Sequence, residues 1–431
     1  MPHHSSDAAP PANRRDFLRS STVAAIGGAM AGTLSLERSA HAAGSDVLKL
    51  GLVGCGGRGT GAVVNALGAD KNVKLTALAD TFADHLQSSL SSLKQSHPDK
   101  MAVGDEQCFV GFDAYQKLLA CDVDVVILAT PPHFRPAHLK AAIAAGKHVF
   151  CEKPVAVDAP GVRSVLASAE EAKSKNLSIV SGLCYRFDVS KRETVKRIHD
   201  GAIGDVQALH ASYNAGPLKY FERVASWSEM EFQLRNWNYF NWLSGDFNVE
   251  QHVHSLDKAA WVMNDEPPVT ASGLGGRQCR AEEGNVYDHF AVVYEYANGT
   301  KLFSYCRQIP GCTDDVSDHV IGTKGRAELM RAMIKSPGQA SWRYRGPKPS
   351  MYDVEHQELF AGIRSGSPVN NGVFMARSTM IAIMGRMAAY TGKTLEWKQC
   401  LKSKEDWTPT KYEWGPVAVR PVAKPGITRF V

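Results

Sequence analysis

A glycine-rich hexapeptide near the start of the chain has the residue types and spacing that bind a dinucleotide phosphate. The sequence GCGGRG fits the pattern G-x-G-x-x-G, and here it follows an apolar strand pattern and opens a helical one. In this motif Gly54 permits a tight turn, Gly56 lets the backbone approach the pyrophosphate, and Gly59 allows close packing of helix on strand. Gly57 and Arg58 complete the loop, so the helix N-terminus faces the phosphates.

A carboxylate at the end of the next predicted strand indicates which dinucleotide is bound. Asp80 closes the strand sequence VKLTALAD, 21 residues after Gly59. A carboxylate at this position accepts hydrogen bonds from the adenosine ribose and repels a 2′-phosphate. We therefore predict NAD rather than NADP. The alternative is a purely structural glycine turn followed by an Asp that caps the strand end.

A second group of residues has the composition for acid–base chemistry. In the sequence EQHVHSLDKAAW, Glu250, His254 and Asp257 are spaced i, i+4 and i+7. These spacings lie on one face of a helix, so the side chains of Glu250 and His254 are expected to point the same way.

The same stretch contains an H-x-H pair that raises the question of a metal. On a strand, His252 and His254 would face one way together with Glu250, and the three side chains could bind a metal ion. On a helix, positions two apart diverge. Because the following residues have a helical pattern, we predict no metal site.

The stretch AGKHVFCEKPVAVD, taken with the glycine motif, resembles the glucose–fructose oxidoreductase/inositol dehydrogenase (Gfo/Idh/MocA) family. The resemblance covers roughly residues 47–400. It implies that Lys153, in the tripeptide Glu-Lys-Pro, lies between the nicotinamide and the substrate. There it would hydrogen-bond the reacting hydroxyl and help to move its proton.

The family's second catalytic stretch has an Asp, a His four residues later and an Asp three residues further on. Here the corresponding positions hold Glu250, His254 and Asp257. The resemblance implies that His254 is the general acid/base, that Glu250 orients or tunes it, and that Asp257 is structural. For each residue the alternative is a buried polar side chain with satisfied hydrogen bonds.

The loop after the third predicted strand departs from the family pattern. The family often reads Thr-Pro-Asn and then a histidine, whereas this chain reads TPPHFR, with Arg135 near the usual histidine position. We predict that Thr130, Pro131 and His133 border the cofactor, together with Glu152 of the Glu-Lys-Pro tripeptide.

Four further residues are predicted to contact the substrate. Tyr185 and Arg186 end the strand that leads to the second domain, where they either contact a polyol or brace the domain junction. His252 and Trp237 complete this set. Trp237 belongs to an aromatic run over residues 227–242, which either stacks on sugar rings or fills a core or subunit interface.

The pattern of strands and helices predicts an α/β protein with two domains. Residues 43–180 alternate strands and helices, which indicates a Rossmann-type, doubly wound parallel sheet. Residues 181–405 have strand patterns interrupted by helices, including a hairpin at Asn298-Gly299, and predict an α+β domain with a large, mainly antiparallel open sheet. Residues 406–431 form a proline-rich tail, expected to run over the surface or reach a neighbouring subunit.

The first residues resemble a twin-arginine signal peptide, predicted over residues 1–42. Arg14 and Arg15 precede an apolar stretch at 21–36 that is too short and too weak to span a bilayer, and an A-x-A cleavage pattern follows at 40–42. The alternative is a disordered basic N-terminus. Because this export route carries folded proteins, we predict a periplasmic or otherwise exported enzyme that leaves the cytoplasm with its cofactor bound.

The composition limits the kinds of binding partner to be expected. The 431-residue chain is 44% hydrophobic and 22% charged, with a net charge of +5 that is too mild to indicate nucleic acid or an anionic membrane. The nine cysteines have no CxxC spacing and indicate neither a zinc site nor a disulfide scaffold. An exposed face on a large sheet would favour association, so we expect a homo-oligomer, a dimer or tetramer.

Together these features predict an NAD-dependent oxidoreductase that acts on a sugar, polyol or glycoside and keeps its cofactor. An exported enzyme has no external NAD supply, so the cofactor must be reset on the enzyme. Either a second carbonyl compound is reduced, or a glycoside is oxidised, hydrolysed by elimination and water addition, and reduced again. The second cycle is that of family 109 glycoside hydrolases, whose pattern lacks Glu-Lys-Pro, so the tripeptide favours the first. A non-catalytic sugar- or nucleotide-binding module is the remaining alternative.

Overall fold

The computed structural model describes residues 47–431. The predicted signal peptide lies outside the described residues. Two sheets organise the described chain, a parallel sheet of six strands and a larger sheet of nine. The predicted fold class, a Rossmann-type domain followed by an α+β domain, is confirmed.

The first sheet has the strand order β3-β2-β1-β4-β5-β6, and all of its neighbouring strands are parallel. Its strands are β1 (Leu48–Val53), β2 (Val73–Asp80), β3 (Cys108–Val110), β4 (Val125–Leu128), β5 (His148–Cys151) and β6 (Ile179–Ser181). The helices that accompany it are α1 (Gly57–Ala69), α2 (Ala83–Ser96), α3 (Ala114–Leu119), α4 (Arg135–Ala144) and α5 (Ala159–Ser174).

Apolar strands buried on both faces explain this layer. All four residues of β4, with the sequence VVIL, are buried, as parallel strands covered by helices require. The chain order reverses between β1 and β4, and at such a point the connecting loops diverge and leave a crevice at the carboxyl ends of the strands. The fold therefore creates a binding cleft next to the glycine motif.

The second sheet has the order β14-β13-β12-β11-β7-β10-β9-β8-β15. Its strands are β7 (Val206–Ala215), β8 (Thr270–Gly276), β9 (His289–Glu295), β10 (Lys301–Gln308), β11 (Asp315–Gly322), β12 (Arg326–Glu328), β13 (Met333–Lys335), β14 (Trp342–Arg343) and β15 (Leu395–Glu396). Its pairings are antiparallel except for β7 with β10. The predicted hairpin joins β9 to β10, with Gly299 in the left-handed region at φ 85°.

Helices cover one face of this sheet and join it to the first domain. They are α6 (Val189–His199), α7 (Glu229–Arg235), α8 (Asn241–Ser244), α9 (Phe247–Glu250), α10 (Val253–Val262), α11 (Met351–Arg364), α12 (Gly372–Thr391) and α13 (Trp397–Leu401). Helix α12 is buried almost throughout and packs against α5 and β8. Helix α11 lies along α1, where Asn65 donates to Asp353 at 2.7 Å. The two domains therefore share a continuous packed boundary.

Two features of the described chain bear on its environment. Between residues 47 and 431 no helix has both the length and the apolar character that crossing a bilayer requires. All nine cysteines fall in this part of the chain and are free thiols, five of them buried.

Candidate active site

A cavity lies at the carboxyl ends of the first four strands of the parallel sheet. It is an open cleft of about 770 Å³, a volume that includes solvent at its mouth. Gly54 and Gly56 of the glycine motif line it, as do Asp80, Thr130 and Pro131 at the ends of neighbouring strands. Five of the predicted cofactor residues therefore lie on one cavity.

The glycine loop has the geometry that the motif requires. Gly54 has φ +97°, and a Cβ there would lie 2.7 Å from the backbone of Thr130. A Cβ on Gly59 would lie 1.9 Å from the carbonyl oxygen of Gly54, because helix α1 approaches the loop closely. At Gly56 and Gly57 an added Cβ would meet no atom within 4 Å. The loop thus presents bare backbone to open space, where a pyrophosphate fits.

Asp80 links the glycine loop to the end of β2. One carboxylate oxygen accepts from Cys55 N at 2.6 Å and the other from Phe82 N at 2.8 Å. Burial raises the pKa of Asp80, and these two N–H groups oppose the rise. Each oxygen can accept a second hydrogen bond, and Asp80 lines the cavity, so the carboxylate can bind a ribose.

The side chain of Arg58 turns away from the cavity. Its guanidinium donates to Glu152 and, at 3.3 Å, to Glu355 on helix α11. Burial raises the pKa of Glu355 well above its usual value, and the charge of Glu152 adds to the rise. Arg58 therefore meets the phosphate site through its backbone, while its side chain stabilises two carboxyl groups beneath the Lys153 loop. Glu152, which was predicted to border the cofactor, pairs with Arg58 and does not line the cavity.

Arg135, at the position where the family usually has a histidine, ties two loops together. Its buried guanidinium donates to the carbonyl of Thr130 at 2.6 Å and to the carbonyl of Pro154. Because Pro154 directly follows Lys153, this arginine fixes the Lys153 loop against the edge of the cavity.

His133 lies next to the cavity rather than on its wall. Its Nε2 lies 2.7 Å from the hydroxyl of Tyr412, and its ring meets Trp242 edge-on at 4.9 Å. Burial lowers the pKa of His133 to about 4, so the imidazole is neutral at ordinary pH. The neighbouring Pro131 and Phe134 line the cavity in its place.

Lys153, Glu250 and His254 come together beside this loop. The Nζ of Lys153 donates to the backbone carbonyl of Glu250 at 2.6 Å and to its carboxylate at 3.0 Å. Both side chains keep about 15% exposure, so they face a cleft rather than the core. The acidic residue therefore contacts the lysine directly.

The two acid–base residues sit on two helices rather than one. Helix α9 ends at Glu250, and α10 begins at Val253 after a turn at Gln251 and His252. The predicted single helix is therefore interrupted. The carboxylate of Glu250 contacts Lys153 directly, and His254, in the first turn of α10, meets Tyr185 edge-on.

His254 is held in its neutral form. Burial lowers its pKa well below the usual value, and the nearby charges of Lys153, Lys258 and Arg58 lower it further. Its ring meets that of Tyr185 edge-on at 5.5 Å, and its Nδ1 has no hydrogen-bond partner among residues 47–431. A neutral imidazole facing this site can accept a proton.

His252 points away from this group. Its Nε2 lies 2.6 Å from the hydroxyl of Ser304 on β10, and the side chain is fully buried. Burial lowers the pKa of His252 to about 3. Although predicted to contact substrate, it therefore anchors the turn before α10 to the sheet. Within the described chain no cluster of three or more His, Cys, Asp or Glu residues is placed to hold a metal ion.

Arg186 and Trp237 were also predicted to contact the substrate, and the structure gives both of them other partners. Arg186 is buried and pairs with Asp257 at 2.8 Å and Asp265 at 2.5 Å, which is the bracing alternative at the domain junction. Asp257 therefore has the structural role that was expected, as the buried partner of Arg186. Trp237 lines the dinucleotide cavity, because its segment folds over the first domain. Of the predicted substrate residues, Tyr185 alone contacts His254.

Sequence reasoning missed a buried ion pair under the site. Lys258 lies one helical turn after His254, pairs with Asp318 at 2.5 Å, and places its ammonium 4.1 Å from the ring centre of Tyr185. The i+4 spacing from His254 was visible in the sequence. Asp318 comes from β11, and no local pattern links it to α10.

Two further polar groups adjoin Glu250. Gln251 donates to the hydroxyl of Tyr213 at 3.3 Å and accepts from Gln308 at 3.1 Å. Burial raises the pKa of both Tyr213 and Tyr185, so their hydroxyls stay protonated as hydrogen-bond donors.

Comparison with known proteins places the chain in a family. Residues 48–179 match the family model described as "Oxidoreductase family, NAD-binding Rossmann fold", and residues 195–413 match "Oxidoreductase family, C-terminal alpha/beta domain". The chain belongs to the Gfo/Idh/MocA oxidoreductase family. The predictions of an oxidoreductase and of NAD as its cofactor are thereby confirmed.

Individual relatives share between 19% and 30% of the aligned residues with this chain. Inositol 2-dehydrogenase of Rhizobium meliloti (strain 1021) is 26% identical over 73% of this chain and 86% of its own. Glycosyl hydrolase family 109 protein 2 of Shewanella sp. (strain ANA-3) is 30% identical over 69% of this chain and 67% of its own. The aldose-aldose oxidoreductase of Caulobacter crescentus, solved with glycerol, shares the fold with a TM-score of 0.64, at 19% identity over 81% of this chain and 99% of that one.

Proposed function

We propose that this family member oxidises a CH–OH group of a sugar, polyol or glycoside. The observation that carries the proposal is the ion pair of Lys153 with Glu250, with His254 in the first turn of the adjoining helix. Arg135 ties the loop that carries Lys153 to the edge of the NAD cavity. Two similar chains are named as an inositol dehydrogenase and a family 109 glycosyl hydrolase, and both names denote polyhydroxylated substrates. Cyclic polyols and sugars are therefore the substrate class.

Oxidation of an alcohol removes one hydride and one proton. Bound NAD supplies the hydride acceptor and, in the reverse direction, the donor. The hydroxyl proton passes to the protein, and the neutral imidazole of His254 is the acceptor that this site provides. The ammonium of Lys153 donates a hydrogen bond to the substrate oxygen, with Glu250 fixing its direction.

The cofactor is proposed to stay on the enzyme through many cycles. Export through the twin-arginine route would separate the protein from the cytoplasmic NAD pool, so a second carbonyl compound would reoxidise the bound NADH. The Glu-Lys-Pro tripeptide supports this cycle. The similarity to a family 109 glycosyl hydrolase supports the alternative, a net hydrolysis through transient oxidation.

We also propose that the protein forms a homo-oligomer through the open face of the nine-stranded sheet. Apolar side chains stand exposed on this face, among them Leu274, Phe303 and Ile321. Exposed apolar patches of this kind mark association sites. Analytical ultracentrifugation tests this proposal. Ile321→Glu should shift a wild-type dimer or tetramer toward monomer. A wild-type protein that is itself a monomer would contradict the proposal.

Turnover without added cofactor tests the proposed activity. Purified protein is mixed with a panel of sugars and polyols, with and without a second aldose as acceptor. Acceptor reduction that depends on the first sugar supports coupled oxidoreduction. Hydrolysis of aryl glycosides under the same conditions supports the alternative. If NAD-loaded protein does neither with any member of the panel, the proposal fails and a binding module is the better account.

A further inference from the structure

The proline-rich tail packs against the wall of the NAD cavity. Three phenylalanines line this cavity, one after each of β2, β3 and β4. These are Phe82, Phe112 and Phe134. The ring of Trp414 lies 5.6 Å from Phe82 and 5.0 Å from Phe112. Two of the three rings are therefore backed by a single tail side chain.

Tyr412 continues this packing along the same edge. Its ring lies 6.1 Å from Phe112 and 5.5 Å from Phe134, and its hydroxyl meets His133 Nε2 at 2.7 Å. Because burial lowers the pKa of His133 to about 4, the neutral imidazole keeps this bond throughout the neutral range. The tail thus spans the ends of β2, β3 and β4 from outside.

The tail is anchored to a short helix that also closes over the cavity. The carbonyls of Gly415 and Val417 accept from Met230 N at 3.0 Å and from the side chain of Gln233 at 3.2 Å. Both donors belong to α7. From the same helix Leu234 lines the cavity, and Arg235 places its guanidinium 4.2 Å from the ring centre of Phe82.

Arg235 also ties this helix to the first domain. It pairs with Asp84 at 3.0 Å, at the start of helix α2. We name residues 411–417 together with α7 the cap. Its two parts lie far apart in sequence from the glycine loop, yet both contact residues that line the adenosine end of the cavity.

We infer that the cap is part of the NAD site and that NAD leaves only when the tail detaches. The inference rests on the proposed function, in which NAD stays bound through many cycles. Contacts between aromatic rings contribute beyond simple burial, and Tyr412 and Trp414 make two such contacts each to the wall residues. A ligand passing between those phenylalanines must first displace rings that the tail holds in place.

The position of the cap makes a specific distinction between the two halves of the dinucleotide. Three of the four ring contacts of the tail with the wall phenylalanines are to Phe82 and Phe112, near Asp80, and the fourth is to Phe134, after Thr130. Loosening the tail should therefore act mainly on binding of the adenosine half.

Release of NAD from loaded protein tests the inference. The double variant Tyr412→Ala/Trp414→Ala is compared with wild type by chasing bound radiolabelled NAD with excess unlabelled NAD. The release rate is expected to rise on the order of tenfold or more, as loss of several aromatic contacts implies. The variants Tyr412→Phe and Trp414→Phe should restore slow release. Ile427→Ala, in an exposed part of the same tail, should leave the rate unchanged.

Binding of half-ligands provides a second readout that does not depend on turnover. In the double variant the affinity for AMP should fall on the order of tenfold while that for nicotinamide mononucleotide falls less. Equal NAD release rates in wild type and double variant would overturn the inference, as would equal losses for both half-ligands. A wild-type protein that binds NAD in neither form would contradict the proposed function instead, so the two failures are distinguishable.

Discussion

The NAD cavity and the catalytic group occupy adjoining parts of one cleft but are assembled differently. The glycine loop and Asp80 lie within one strand–helix–strand unit, and the cavity forms where those strands end. The proposed catalytic group combines Lys153, from the end of the parallel sheet, with Glu250 and His254, from helices of the second domain. The first depends on local geometry and the second on how the domains pack.

This difference implies that the two parts can be disabled separately. Substitutions in the catalytic group should stop turnover while NAD stays bound. Substitutions at the domain junction should change stability, and those at Asp80 should change cofactor affinity and selectivity.

The largest effect is expected for Lys153→Met. Loss of the ammonium should lower kcat on the order of 10³-fold, as removal of a group that assists proton transfer does. NAD content should stay at the wild-type level, because Lys153 is not among the residues that line the cavity. Steady-state kinetics and the NAD content of the purified protein check both halves, with Lys147→Met as the matched control. Loss of NAD together with activity would contradict the separation.

Arg186→Met should reduce stability rather than substrate binding. Its removal leaves Asp257 buried without its charge partner, which costs about 3 kcal/mol of unfolding free energy or more. The control is Lys196→Met, whose pair with Asp200 is more than half exposed, so its loss should leave stability close to that of wild type. Chemical denaturation measures both. A stable Arg186→Met protein with a tenfold higher KM for sugar would indicate substrate contact instead.

Asp80→Ser should weaken NAD binding by about 10- to 100-fold, the cost of hydrogen bonds to a charged acceptor. The preference for NAD over NADP should narrow, since the carboxylate no longer repels a 2′-phosphate. Isothermal titration of apoprotein with each dinucleotide measures both effects, and Asp105→Ser serves as the surface control. If Asp80→Ser keeps the wild-type preference for NAD over NADP, another residue must discriminate between the two dinucleotides.

The smallest effect concerns acid stability. Burial lowers the pKa of His356 to about 3, and its ring packs on Phe150 at 4.2 Å. The unfolded chain therefore binds a proton below about pH 6.5 that the folded chain does not, so stability is full above that pH and falls toward pH 3.

His356→Phe should accordingly flatten the decline in unfolding free energy by up to about 1.4 kcal/mol per pH unit in that window. Denaturation curves between neutral and mildly acidic pH measure the slope. The partly exposed His97, changed to Phe, serves as the control and should leave the slope as in wild type. An unaltered slope in His356→Phe would show that His356 is protonated in the folded protein.

Local patterns predicted what local geometry determines. The roles expected for Gly54 and Gly59 depend on atoms a few residues away in the same strand–turn–helix unit, and the close approaches at both positions agree with them. The parallel, doubly wound sheet and the hairpin before β10 likewise follow from periodicity and turn chemistry.

Contacts across the chain were beyond such patterns. Whether Arg186 meets substrate or protein was decided by Asp257, which is 71 residues away, and by Asp265. The bend between Glu250 and His254 arises where His252 bonds to a strand of the second sheet. The tail residues that back the NAD cavity carry no motif at all, since their partners follow three different strands.

The central claim is that NAD is held by the folded protein and is reduced and reoxidised in place. The most direct measurement follows the absorbance of reduced nicotinamide when purified protein, with no NAD added, is mixed with a sugar and then with a carbonyl acceptor. We predict reduction of the bound NAD in the first step and its reoxidation in the second. Protein that is empty and cannot take up NAD, or whose bound NAD no sugar or polyol reduces, would contradict the account.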